Sequence, residues 1–536
     1  MLFRSLGLVA CSSLLLACSG GTSPETPPAI TKAEAYRFLN QATFGATESE
    51  AQGLMAIGYE EWIKRQIEMP PSLHEPTLSA MPHPTLTGLR QRERVDIWFQ
   101  KAIQAPDQLR QRVAFALSEI LVVSQTGALD TMPYAIAAYH DVLVYHAFGD
   151  FRHVIRLVTT HPAMGVYLSM LGNQKPNDAL RIRPDENYAR ELMQLFTIGL
   201  VQLELDGTPK LDAAGEPIPT YTQATVEGFA HVYTGWTYKG ARSFPNAIAT
   251  DLNQVLPMQL YPEFHDVGPK QLLATTLPGG QSGEQELELA LDDIFNHPNV
   301  GPFIARRLIE RLTTSNPTPE YIRRVAQKFN DNGFGQRGDL GAVVKAILLD
   351  PEVRSPPSPG PTGKLKEPLL RLTQFWRAYK ARSATGSFAS TRAHVSIGQG
   401  PLQAPSVFNF FSPFYAPPGE FRVSALVAPE FEIATEFLNT EITNVFYTFC
   451  FGFNSQTPGL KPDDVYIDIN PEVGVATNAA ALIDMVDGRL LGGTMSTTLR
   501  DELGRLLSEI PPDDRINRAA AAIYLVASSP EFAVQR

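Results

Sequence analysis

The sequence predicts a mainly α-helical protein: a large multi-helical body with a small β-hairpin insertion, arranged as two lobes that share one core. Three observations predict it. Apolar residues recur at helical spacing through most of the chain after residue 30. Only two stretches, 201–221 and 401–419, break that pattern. A Pro-rich run at 355–363 (SPPSPGPTG) divides the helical segments into two groups. With 44% hydrophobic residues in 536, the chain can bury a large core, and its length suits two or more lobes.

The chain opens Met1-Leu-Phe-Arg4, continues with an apolar run over 6–16 and reaches Leu15-Leu-Ala-Cys18. One positive charge, a short apolar core and small residues at the cut read as a secretory signal over 1–17, too short to span a bilayer. Leu-x-Ala-Cys resembles the bacterial lipobox, which implies lipidation of Cys18 and a membrane partner reached through the lipid. Ser19, rather than Asp, resembles proteins sorted to the outer membrane, on its periplasmic or cell-surface face. Residues 18–30 are small, polar and proline-rich, a tether rather than a fold.

Thr31 and Glu34 form a capping-box pattern at the start of the body. Amphipathic segments follow at 48–69, 87–104, 107–124, 133–147, 151–171 and 186–198, then at 223–234, 284–295, 300–313, 319–330 and 340–349. These make an N-terminal lobe over 31–353. Beyond the break at 354–363, a second lobe over 364–536 carries helical segments at 365–381, 429–446, 478–491, 497–507 and 515–528. Residues 201–221 hold Leu205-Asp-Gly207 and Leu211-Asp-Ala-Ala-Gly215, two turn signals between alternating residues, hence the hairpin. Its aspartates lack the ligand spacing of a calcium loop. Residues 401–419 (PLQAPSVFNFFSPFYAPPG) are too rich in Pro and Phe for regular structure and predict an ordered loop against the core, of a kind that can line a cleft.

Charge bounds the partners. The chain carries net −11, and net −12 once Arg4 leaves with the signal (44 basic residues against 56 acidic). That balance excludes nucleic acid and anionic headgroups as main partners. Of three cysteines, Cys11 leaves, Cys18 is lipidated and Cys450 stands alone in an aromatic run, so no disulfide framework or thiolate cluster forms. Gly333-Phe-Gly335-Gln-Arg-Gly338 follows a helix rather than a strand, so it reads as a helix stop and not a dinucleotide site. The sequence names no cofactor.

Residues 185–199 (DENYARELMQLFTIG) are the most informative stretch. Asp185 can cap a helix and Gly199 can end it, with Tyr188, Leu192, Leu195 and Phe196 as the buried stripe. Asn187, Glu191 and Gln194 then fall along one polar line, and Glu186 and Arg190 stand four apart and can pair. Among histidines, His265-Asp266 lies in an irregular loop close to Lys270, His161 and His297 each precede a proline that opens a helix, and His140-Asp141 reads as structural. Trp236, in Thr234-Gly-Trp236, can anchor the core or stack on a sugar ring.

These stretches together resemble the bacterial family labelled domain of unknown function 1800. The matching residues are Arg37-Phe-Leu-Asn-Gln-Ala-Thr-Phe-Gly45, His161-Pro-Ala-Met164, Glu186-Asn-Tyr-Ala-Arg-Glu191, Tyr221-Thr-Gln223, Thr234-Gly-Trp236, His265-Asp266 with Lys270, His297-Pro298, Gly338-Asp-Leu340 and Lys364-Leu-Lys366. The family's usual Arg-Leu start reads Phe-Leu here. The resemblance implies a secreted, mostly helical protein, often encoded beside a secreted partner of the alkaline-phosphatase or sulfatase-like kind. It implies no reaction, but it draws weight to Glu186, Asn187, Arg190, Glu191, His265 and Asp266.

The leading expectation is an anchored acid–base hydrolase or lyase acting on an envelope or extracellular polymer such as a polysaccharide. Glu186 or Glu191 would supply a carboxylate, His265 oriented by Asp266 the proton, and Arg190 and Lys270 positive charge, with His161, Asn187 and Trp236 on the substrate. Two alternatives stay open: a non-catalytic binding or assembly component in which the same polar residues form a buried network, and a metal-dependent hydrolase using His161, His265 or His297.

Overall fold

The computed structural model describes residues 29–82, 87–244, 247–355, 363–388 and 392–536. The signal, Cys18, most of the tether and the middle of the Pro-rich run lie outside the described residues.

Helices carry the fold, mostly as short pieces with explicit caps. At the start of the Lys32–Ala42 helix the Thr31 hydroxyl accepts the Glu34 amide at 3.3 Å, and the Glu34 carboxylate accepts the Thr31 amide at 2.8 Å. That is the reciprocal pair the spacing predicts. The amphipathic stretch over 48–69 is two helices, Glu48–Ile57 and Tyr59–Glu68, because Gly58 turns the chain at φ 82°, where a side chain would be strained. The stretch over 151–171 divides at His161, which the following proline holds extended between Phe151–Thr160 and Pro162–Tyr167. The stretch over 186–198 changes pitch: Asn187–Glu191 is α-helical and Leu192–Thr197 is a π-helix. Its last amides, of Ile198 and Gly199, both donate to the Met193 carbonyl.

Among the described residues two large apolar cores result, beside a small cluster of Leu78, Ile97, Tyr134 and Ala137. The first gathers residues from Ala35 to Leu348 and one from the second half, Leu402. The second is built on the helices Pro368–Ala378, Glu436–Tyr447, Ala479–Leu490, Thr497–Ser508 and Arg515–Ala527. It also takes Phe44, Phe115 and the inner face of the Thr87–Gln104 helix, through Val95, Trp98 and Phe99. A segment from the first half of the chain therefore completes the second core, and the two cores interlock. Cys450 is fully buried there, where burial pushes its thiol up.

Strands are few. Among the described residues, three two-stranded antiparallel ladders pair Trp236–Thr237 with Gln259–Leu260, Lys270–Gln271 with Thr276–Leu277, and Lys364–Leu365 with Val534–Gln535. The hairpin over 201–221 is a double turn of three extended pieces, joined by single bridges Val201–Pro219, Leu203–Pro209 and Leu211–Pro217. Its Asp206 and Asp212 carboxylates accept amides of their own turns, from Thr208, Ala214 and Glu216. The loop over 401–419 is irregular and docked: Leu402 enters the first core, and its carbonyl and that of Ala404 accept from Gln125 and Ser124. Among the described residues no helix is long and apolar enough to cross a membrane.

Candidate functional site

His265 and Lys270 are inside the protein. The Lys270 ammonium stands 2.7 Å from a Glu286 carboxylate oxygen and donates to the carbonyls of Asp266 (2.7 Å) and Gly268 (2.9 Å). His265 places Nε2 3.2 Å from the same Glu286 oxygen and Nδ1 3.0 Å from the Thr234 carbonyl. All three side chains are at most 2% exposed. Glu286 comes from the first turn of the Gly283–Phe295 helix, so the network ties that helix to the loop and ladder over 259–277. Asp266 does not orient His265. Its Oδ2 lies 2.5 Å from His231 Nδ1, and its Oδ1 accepts the Gly268 amide. Burial works to raise the Asp266 carboxyl, but that amide, His231 and Lys270 outweigh it and hold the group below its usual range.

Glu186, Arg190 and Glu191 stay with their helix. Arg190 donates to Glu186 at 2.7 Å and to Gln223 at 3.1 Å, and Gln223 donates back to Glu186, a partly solvated clasp onto the Gln223–Val232 helix. Such exposed pairs contribute little energy. Asn187 is exposed, and its amide donates to the Asp185 carboxylate. Glu191 is half-buried, and burial raises its carboxyl despite Arg190 nearby. The change to π pitch after Glu191 takes Gln194 off the polar line and into a different surface, described below.

His161 and Trp236 are core residues. His161 Nδ1 accepts the Ala163 amide at 3.1 Å, the ring meets Tyr139 edge-on, and burial pulls its pKa down to about 3. Trp236 is 5% exposed. His297 likewise caps a helix start, accepting the Asn299 amide at 3.1 Å. No group of three or more His, Cys, Asp or Glu side chains among the described residues is placed to hold a metal ion.

A mostly apolar concavity lies elsewhere. A cleft of about 550 Å³ opens between the Val300–Leu312 helix, the π-helical turn with the start of the hairpin, and the Phe-rich loop over 407–414. Its surface is mostly apolar, from Leu195, Ile198, Leu200, Phe303, Phe408 and Phe414. Arg306, Arg307, Arg311 and Glu119 supply its charge. Arg307 lies over Phe303 (5.6 Å) and Phe414 (5.1 Å), and Arg311 over Phe411 (4.6 Å). Beneath the cleft, buried charges join the lobes. Lys364 stands 3.0 Å from Glu430 and 3.5 Å from Glu367, and Arg112 donates to the Arg311 carbonyl. Burial and the neighbouring Glu367 charge raise Glu119 well above the carboxylate range. Burial opposes the Glu367 charge too, yet Lys364, Arg311 and Arg112 hold that group down to about 2.

None of Glu186, Glu191, His265, Asp266 or Lys270 lines this cleft. Phe303, Arg306, Arg307 and Arg311 of the cleft, and the partners Glu286 and His231, were missed because each sits on an ordinary helix without a distinguishing neighbour. Only the Phe-rich loop signalled a cleft in advance. A family model described as "Protein of unknown function (DUF1800)" matches residues 37–534. No curated protein and no solved structure matches the chain.

Proposed function

The chain belongs to that family, whose description assigns no reaction, and from the geometry we propose a lipid-anchored binding component of the bacterial cell envelope that holds an apolar ligand in the cleft. The observation that carries the reading is where the polar residues go. His265 and Lys270 share one Glu286 oxygen in the interior, while the solvent-open cavity is mostly apolar. The polar motifs then act as scaffold, and the Cys18 lipid places the cleft at a membrane surface.

The test uses a neutral apolar fluorophore, N-phenylnaphthylamine. Leu200 is 57% exposed at the cleft wall, so Leu200→Trp fills the cavity without touching the core. Wild type should bind the fluorophore and Leu200→Trp should bind it at least tenfold more weakly, with unchanged melting. His265→Gln should lower melting, and should alter binding only as far as the fold is lost. If Leu200→Trp binds as wild type does, the cleft is not the site and the reading fails. Acyl labelling of cells should vanish with Cys18→Ser.

One observation favours a second reading as an acid–base enzyme. His231, with its side chain 31% exposed, and Asp266 form a solvent-reachable imidazole–carboxylate pair.

A further inference from the structure

The cleft contains a cation whose hydrogen bonds are unspent. The Arg307 side chain is nine-tenths buried, yet its Nε and Nη1 have no hydrogen-bond partner. Glu310 stands 2.9 Å from Nη1 but off the N–H direction, and its other oxygen accepts from Arg306 at 2.9 Å. Leaving buried donors of a guanidinium unmade is costly, and native proteins rarely tolerate it without a ligand or a role. The two phenyl rings fix the guanidinium plane, so these donors are held in place.

The charge on this wall does not cancel. Arg306, Arg307 and Arg311 face two carboxyls: Glu310, which Arg306 and Arg307 share at 2.9 Å each, and Glu119, 3.9 Å from Arg311. A ligand entering the cleft thus meets apolar side chains first and, at the wall, guanidinium groups that outnumber the carboxyls beside them. Few other polar groups line it, so a peptide would find little to hydrogen-bond along its backbone.

We propose that the cleft binds a long-chain carboxylate: the hydrocarbon chain lies against Leu195, Leu200, Phe303, Phe408 and Phe414, and the carboxylate accepts from the Arg307 guanidinium. The inference rests on the binding reading above and adds the charge of the ligand to it. A charge-assisted hydrogen bond from a guanidinium to a carboxylate is stronger than one to a neutral group, and a desolvated contact of this kind discriminates against an uncharged head.

The experiment compares dodecanoate, dodecanol and dodecyltrimethylammonium by isothermal titration, each below its micelle concentration, on the full chain. Wild type should bind dodecanoate at least tenfold tighter than dodecanol, and the ammonium compound weakest. Arg307→Gln should bring dodecanoate down to the affinity of dodecanol. Arg307→Lys, which keeps charge without the guanidinium, should retain part of the preference and guards against a folding defect in the first variant. Leu200→Trp should weaken both dodecanoate and dodecanol. Dodecanol binding as tightly as dodecanoate, with both lost in Leu200→Trp, overturns the carboxylate inference and leaves the cleft-binding reading standing. Affinities unchanged by Leu200→Trp, or no binding of either amphiphile, overturn this inference. The fluorophore result then decides the broader reading separately.

Discussion

His161 illustrates how a family motif residue can matter without touching a ligand. Its Nδ1 caps the helix that Pro162 opens, and burial holds the ring neutral, its pKa down to about 3. In the unfolded chain the ring titrates near 6.5, or roughly the ordinary histidine value. Below that pH the unfolded state takes up a proton that the folded state refuses, so the stability this residue contributes is full above about 6.5 and is lost as pH falls toward about 3. Asparagine keeps a capping oxygen and does not titrate. His161→Asn should therefore cost about 1–2 kcal/mol at pH 7 through lost packing, and its deficit against wild type should shrink on acidification. Denaturant unfolding at several pH values between 7 and 4 checks this; a deficit constant across that range would mean the ring is not held neutral by the fold.

At the scale of elements, the helices were legible because each carries its own apolar stripe and caps, as Thr31 with Glu34 and Ser282 with Gln285 demonstrate. Breaks were legible less often. Pro162 and Gly58 both stand in the sequence, but the π-helical turn at Leu192–Thr197 leaves no residue signature and redirects Gln194. Pairing was least legible. The acids Glu284, Glu286 and Glu288 share the start of one helix, and only long-range packing selects Glu286 to face Lys270 and His265 while Glu288 goes out to Arg152 and Arg156. The selected acid joins its helix to the ladder of Lys270. Glu286→Gln keeps the shape and removes the charge that the buried Lys270 ammonium faces. It should destabilise by about 3–5 kcal/mol, as breaking one side of a buried ion pair does, whereas Glu288→Gln should cost less than about 1 kcal/mol. Equal effects from the two substitutions, read by equilibrium unfolding, would show that the interior network contributes nothing to the fold.

At the scale of the whole molecule, the question is whether two cores make two folding units. The first motif of the family bears on it because it is built into both. Phe38, Leu39 and Ala42 pack in the first core, and Phe44, two residues on, packs in the second. Gly45 then passes so close to the Pro368–Ala378 helix that an added Cβ would lie 2.4 Å from the Gln374 Cα, and its φ of 136° is one that side chains avoid. Its carbonyl accepts from Arg377 at 2.7 Å, and the same guanidinium also donates to Glu50. The Thr87–Gln104 helix and the buried charges around Lys364 cross the same boundary. With so many groups shared, neither core keeps its packing when the other is lost, and one cooperative transition follows. Gly45→Ala strains the backbone and pushes the two lobes apart, at a cost of roughly 2–4 kcal/mol by the usual scale of overpacking with positive-φ strain. The calorimetric peak should move down as a single transition. A melt that splits, with one half unmoved, would mean that the lobes unfold independently and that the motif serves only one of them.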